Sequence, residues 1–149
     1  MPRQDKTSKN NDLVLSSYIK LMRAADSITN RSHRHLSDVK LSFSQFAVIE
    51  ALYHLGPLCQ RDIATKILKS SRNITMVVDN LEKRNLVLRE RDAGDRRYLN
   101  VRLTDEGRAL FESIYPRHVE FLKGEMEILS AGELEELGRL CRILGTRKR

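Results

Sequence analysis

"LVLRERDAGDRRYLNVRLT", residues 86–104, carries the pattern that decides the fold. On either side of the turn "DAGDRR" the apolar period is that of a strand. "LVLRER" leads in and "YLNVRL" leads out, with Leu99, Val101 and Leu103 on one face and Tyr98, Asn100 and Arg102 on the other. This is how an antiparallel hairpin reads when one of its faces covers a core. The tip concentrates charge in Arg91, Asp92, Asp95, Arg96 and Arg97. Bare arginines on a flexible turn would repel one another, whereas an aspartate within reach can hold a guanidinium in a fixed fork through charge-assisted hydrogen bonds. An arginine so held can enter the narrow, electronegative minor groove of a DNA duplex. The competing reading is a solvated tip, whose exposed ion pairs would contribute at most about 1 kcal/mol each.

Immediately upstream, "CQRDIATKILKSSRNITMVVDNLEKRN" (59–85) supplies two short amphipathic helices. The first is predicted from about Gln60 to Leu68, and Ser70 or Ser71 suits the cap of the second. In that second helix Ile74, Val77, Val78 and Leu81 recur with helical period, which leaves Arg72, Asn73, Thr75, Met76, Asp79 and Asn80 on the other side. Ile63, Ala64, Ile67, Ile74 and Val77 stand where a helix-turn-helix needs apolar or small residues, because two steeply crossing helices share one small interior. Leu68 and Lys69 replace the glycine and apolar residue common in the tight turn, so a longer turn is expected. With the hairpin following, the order becomes a winged helix, and the charged tip is its wing.

Farther upstream, Ser42 and Gln45 form a capping box that opens a helix with Phe46, Ile49 and Leu52 as its buried stripe, stopped by Gly56-Pro57. A long helix before it carries Leu15, Ile19, Met22, Ala25 and Ile28 on one side, from Asp12 to about Leu36. Residues 1–11 lack apolar periodicity and predict a mobile basic arm.

Downstream of the wing, Thr104 can cap a helix that has Asp105 and Glu106 at its positive end and a stripe of Leu110, Ile114, Phe121, Leu122, Met126 and Leu129. Pro116 should bend it. Ser130 with Glu133 opens a last helix in which Leu134, Leu137, Cys141 and Leu144 keep coiled-coil-like spacing up to Gly145. The terminal helices hold more apolar surface than one winged helix can cover. Residues 12–40 and 104–149 are therefore expected to form a helical dimerisation region, shared with a second copy, around a DNA-binding domain at 41–103.

The whole chain of 149 residues is the size of one folded unit. A hydrophobic fraction of 40% with 5% aromatic residues and no Trp favours aliphatic, mainly helical packing. No apolar run is long enough to span a membrane, and the polar start contains no signal core, so a cytoplasmic protein is expected. The formal charge of +7 is unevenly spread. Residues 60–102 hold 11 Lys or Arg against 6 Asp or Glu, whereas residues 109–149 hold 7 of each. Positive charge thus gathers where a polyanion would be met.

Other chemistry is poorly supplied. There is no phosphate-binding glycine loop, HExxH or nucleophile elbow, which points away from an enzyme and implies no cofactor. His33 and His35 project in different directions on a helix, while His54 and His118 stand isolated in sequence. No metal site is expected, and these histidines read as surface or helix-end residues. Cys59 is the one candidate redox residue, at a helix start and near Arg61, against the plainer reading of a small half-buried thiol. Cys141 reads as a core residue of the last helix.

The stretch "DRRYLNVRLT" matches the wing signature D-x-R-x-x-x-V-x-L-T through Asp95, Arg97, Val101, Leu103 and Thr104. In this, and in the preceding "NLEKRNLVLRERD", the chain resembles the MarR (multiple antibiotic resistance regulator) family of bacterial transcription regulators over nearly its whole length. The resemblance implies a homodimer of triangular outline that binds double-stranded DNA. It makes Arg97 the minor-groove arginine, Asp95 its orienting partner and the helix from Ser71 to Asn80 the major-groove reader. Cys59 stands where the family often caps helix three with Ser or Thr, and helix one lacks the reactive cysteine of the family's hydroperoxide sensors.

The expected DNA-binding residues are therefore Ser70, Ser71, Arg72, Asn73, Thr75, Met76 and Asn80 of the helix, with Arg91, Asp95, Arg96 and Arg97 of the wing. A small-molecule effector would lodge between the dimer helices and the winged helix, among Leu15, Ile19, Met22, Phe43, Phe46 and His54. The function expected is a DNA-binding regulator, most simply a repressor, on a pseudo-palindromic operator. The alternative is a winged helix whose basic surface docks an acidic protein partner.

Overall fold

Ser42 begins the central part of the fold by accepting a hydrogen bond from the Gln45 backbone N–H (3.1 Å), while the Gln45 side chain accepts one from the Ser42 N–H (2.9 Å). The helix so capped is the second of six in a computed structural model that describes the backbone of residues 3–67 and 71–147. In chain order these elements are α1 (Arg3–Ser37), α2 (Phe43–Leu55), β1 (Leu58–Cys59), α3 (Gln60–Ile67), α4 (Ser71–Lys83), β2 (Val87–Arg91), β3 (Leu99–Leu103), α5 (Asp105–Met126) and α6 (Ala131–Gly145).

The hairpin forms as its alternation dictates. β2 and β3 pair antiparallel with Val87 opposite Leu103 and Arg91 opposite Leu99. Val101 and Leu103 turn into the core, while Leu99, at the open end, is exposed. A third strand that periodicity does not announce, β1, adds to the other edge of β3, with Leu58 opposite Val101 and Cys59 opposite Asn100. Two residues are too short a run to show a period, and it is the partner strand that orders them.

The core lies where α2, α3, α4, the sheet and the start of α5 converge. Phe46, Ile49, Ile63, Ile74, Val78, Leu81, Val87, Val101 and Phe111 are all essentially inaccessible. Phe46 stacks on Phe111 at 5.8 Å between ring centroids. At roughly 1.5–3 kcal/mol for each large apolar side chain, this burial is the main force holding the winged helix together.

The wing joins α5 without a linker. The Thr104 hydroxyl accepts from the Gly107 N–H (2.9 Å) as a helix cap and donates to the Asn85 carbonyl (2.7 Å), while the Thr104 N–H donates to the Leu86 carbonyl (3.1 Å). Asn85, with φ of 58°, takes the left-handed conformation that asparagine tolerates and so turns the chain from α4 into β2. Gly107 is required by contact: a Cβ there would lie 2.0 Å from the Leu86 carbonyl oxygen.

Two expectations are corrected. α1 starts at Arg3 rather than Asp12, so most of residues 1–11 extends the helix instead of forming an arm. Over its 35 residues it runs on the order of 50 Å. Cys141 is exposed in the single chain and lines a groove with Leu13, Tyr18, Leu137 and Leu144 rather than sitting in a core. α5 runs continuously through Pro116.

Among the described residues, the amino-terminal half of α1 and all of α6 bury nothing within one chain. Leu13, Val14 and Leu15 are at least 60% exposed, Leu144 is 64% exposed, and α6 has no buried residue. No helix of the described residues is long and apolar enough to cross a membrane. Such apolar faces on a highly charged chain need another protein surface to cover them.

Candidate nucleic-acid interface

The helical period of α4 sorts its side chains. Ile74, Val78 and Leu81 are buried, Val77 half-buried, and Asn73, Thr75, Met76 and Asn80 stand exposed on the outer side. Ser71 and Arg72 form the first turn of α4, while Ser70, Leu68 and Lys69 lie outside the described residues. The exposed face combines amide, hydroxyl and thioether groups, the types that meet base edges and thymine methyls in a major groove.

A polar network absent from the sequence expectations fixes this helix. Arg89 of β2, 16% exposed, reaches back beneath the wing and donates to Asp79 (2.5 Å) and Glu82 (3.0 Å) of α4. Its Nε donates to the Gln60 side-chain oxygen (2.9 Å), and the Gln60 amide in turn donates to the Thr75 hydroxyl (3.1 Å). One guanidinium thus ties the sheet, the start of α3 and two turns of α4 together, using the planar donor fork that lysine lacks. Asp79, grouped by period with the DNA-facing side chains, is instead an internal partner of Arg89. Thr75, placed among the base readers, also anchors Gln60. The signal available in sequence was an arginine two positions after Val87, on the strand face that the alternation assigns to the core.

At the wing tip, Asp92 organises the turn. Its Oδ1 accepts from the N–H groups of Gly94 (2.8 Å) and Asp95 (2.9 Å), and its Oδ2 from the Asn100 side chain (2.7 Å). These bonds, led by the Asp95 N–H, hold the Asp92 carboxyl below its usual range. The tip so shaped presents Asp95 to Arg97: Nε donates to Oδ1 at 3.0 Å and the second nitrogen to Oδ2 at 2.8 Å, while the Arg97 N–H also bonds Oδ1. The pair lowers the pKa of the Asp95 carboxyl and raises that of the Arg97 guanidinium, and the Arg97 side chain is nevertheless 86% exposed. It is a cation fixed in direction and open to solvent. Arg91 donates to the Arg96 carbonyl (2.8 Å), and the Arg96 side chain is exposed, with no partner among the described residues.

The other sequence candidates fall elsewhere. Phe46 is 1% exposed and belongs to the core, against Phe111 and His118. Leu15, Ile19 and Met22 lie exposed along α1, and Phe43 at the start of α2 is 38% exposed. His54 packs edge-on against Phe111 and Tyr115. These six residues do not close a cavity within one chain. Cys59 is half-buried in β1 and shares a cleft of about 540 Å³ with Arg61, Asp62 and the wing residues Asp92, Tyr98 and Asn100.

Two histidines that look isolated in sequence meet. His35 of α1 and His118 of α5, 5% and 6% exposed, share a 3.0 Å hydrogen bond between Nε2 and Nδ1. Burial lowers the pKa of both, with the Arg117 charge adding for His35 and the neighbouring His35 adding for His118.

Known proteins show the same arrangement. The model of the MarR family matches residues 41–99, from the loop before α2 to the first residue of β3. The chain is 34% identical to the HTH-type transcriptional regulator MhqR of Bacillus subtilis over 131 residues, 88% of this chain and 90% of that protein. Among solved structures, BpsR of Bordetella bronchiseptica, whose DNA binding is regulated by 6-hydroxynicotinic acid, superposes with a TM-score of 0.78 at 26% identity. It covers 86% of this chain and 91% of that one. Sco3205 of Streptomyces coelicolor, a MarR family regulator solved in complex with DNA, gives a TM-score of 0.80 at 25% identity, over 91% and 86% of the two chains. A winged helix with a fixed, exposed wing arginine, and a full-length relative at this identity, lead to one conclusion: the chain belongs to the MarR family of DNA-binding transcription regulators.

Proposed function

We propose that this regulator acts as a homodimeric repressor inside the cell, binding a pseudo-palindromic operator and leaving it when a small molecule occupies the cleft between dimer helices and winged helix. The exposed Arg97 guanidinium, held in a bidentate fork by Asp95 on a turn that Asp92 organises, carries this reading. A loose arginine would lose side-chain entropy on entering a groove, and this one is already ordered.

The division of labour follows from the elements. α4 offers Asn73, Thr75, Met76 and Asn80 to the major groove, and its first turn, at Ser71 and Arg72, lies nearest the phosphates. Arg97 enters the adjacent minor groove, and Arg91 and Arg96 add positive charge beside it. The apolar faces of α1 and α6 are covered by the second copy, which also brings its own Leu15, Ile19 and Met22 toward Phe43 and His54 to complete an effector cleft. Half-sites about one helical turn apart match the two-fold axis. The acidic-partner alternative is not favoured, since a DNA complex exists for a structural relative of this chain.

Fluorescence anisotropy with a duplex from the region upstream of the chain's own gene, repeated over a salt series, tests the reading. Preference over random DNA together with a steep salt slope, about 0.9 for each phosphate counterion released, is the expected result. Equal affinity for random duplexes would overturn it.

A further inference from the structure

The loop that ends α1 closes on itself. Lys40, with φ of 54°, takes the left-handed conformation that stops a helix. The N–H groups of Val39 and Leu41 donate back to the Leu36 carbonyl and that of Lys40 to the Ser37 carbonyl, while Leu36 and Leu41 are buried. The loop is therefore one piece with the end of α1, and the carbonyls of Val39 and Lys40 are left over as acceptors.

Arg84, the residue after α4, takes both. Its Nη1 donates to the Lys40 carbonyl (2.7 Å) and its Nη2 to the Val39 carbonyl (3.0 Å). Two donors on one planar group fix direction as well as distance, which a single ammonium does not. The Arg84 N–H continues α4 by donating to the Asn80 carbonyl (3.3 Å), and the next two residues, Asn85 and Leu86, hold the Thr104 junction. Three consecutive residues thus join α1, α4, the hairpin and α5. The Arg84 side chain is exposed, so water competes for its bonds and the buried leucines supply most of the adhesion. What the guanidinium adds is an angle.

We propose that Arg84 is a positioning residue that sets the separation of the two half-sites. The inference rests on the homodimer reading above. Arg89 fixes α4 within its own winged helix, and Arg84 fixes that winged helix against α1, whose other end the second copy covers. Asn73 lies roughly 16 Å from Arg84 along the helix, so a tilt of about 5° at Arg84 moves it by about 1.4 Å. One extra base pair displaces a half-site by about 3.4 Å and turns it by about 35°. Two pinned reading heads reject that change, whereas two hinged ones follow part of it.

Anisotropy with the full-length chain tests this on four duplexes: an operator selected from a random pool, the same with one base pair inserted or removed between half-sites, and one half-site alone. The parent should bind the altered spacings at least about tenfold more weakly than the operator. In Arg84→Lys, which keeps the charge, and in Arg84→Gln, that penalty should fall to about threefold or less. Affinity for the single half-site, its base preference and the circular dichroism spectrum should stay as in the parent. The proposal is overturned if both variants keep the parent's spacing penalty, or if they weaken the single half-site as much as the operator, the mark of a merely structural role. A parent indifferent to spacing overturns the homodimer reading and this inference with it, and is seen before any variant is made.

Discussion

Arg89 and Asp79 meet at 2.5 Å across the gap between wing strand and recognition helix, so the orientation of α4 is set by a residue that does not face DNA. Arg89→Lys keeps the charge and loses the fork. It should cost about 1–3 kcal/mol of stability, because Gln60 and one carboxylate lose their donor. Preference for operator over random duplex should fall by about tenfold, read by anisotropy against both, as α4 becomes free to rock. Unchanged discrimination would remove Arg89 from the reading geometry.

Arg97→Ala should leave the fold intact, since the side chain is 86% exposed, and weaken binding about tenfold on specific and random duplexes alike. Asp95→Asn keeps the cation but removes the bidentate fork, so its loss should be smaller and recovered in part at low salt. If both variants behave identically, orientation of the arginine adds nothing to its charge.

Asn73→Ala should change which base is preferred at one position of each half-site, by about 1–3 kcal/mol, when sequences selected from a random pool are compared with those of the parent. A uniform loss over all sequences would make Asn73 a backbone contact instead.

The His35–His118 pair sets a pH dependence of folding. Both native pKa values lie below the ordinary 6.5, chiefly through burial, so the unfolded chain binds more protons between the native and the ordinary values. Stability present above about pH 6.5 is therefore lost as pH falls toward the depressed native values. Urea midpoints taken from about pH 7.5 to about pH 5.5 should decline in the parent. In the double variant His35→Gln, His118→Gln the decline over this interval should be flatter.

Gly107→Ala should destabilise by about 3 kcal/mol or more, because its Cβ would overlap the Leu86 carbonyl, a backbone atom that cannot step aside. A thermal midpoint close to the parent's would show that α5 and the strand can part.

What the sequence makes legible here is whatever repeats locally. The stripe Ile74, Val78, Leu81, the alternation around Val101 and the capping boxes at Ser42 and Ser130 each bind a side chain to a neighbour a few positions away, so period and spacing reveal them. The Asp95–Arg97 fork is likewise two residues wide. Long-range polar contacts leave no such trace. Arg89 to Gln60 spans 29 positions and His35 to His118 spans 83, so no local spacing names either partner. Gly107 sits in an ordinary helical sequence, and only the closeness of the Leu86 carbonyl explains it. The reach of α1 back to Arg3 has no apolar stripe to announce it.

The junction at Thr104 has a mechanical consequence. Because β3 ends and α5 begins on adjacent residues, bolted to Asn85 and Leu86, the wing cannot swing independently of the long helix behind it. In the proposed homodimer each arm would then behave like a leg of a drawing compass, and a few degrees of opening where the legs meet would become ångströms of travel at the points.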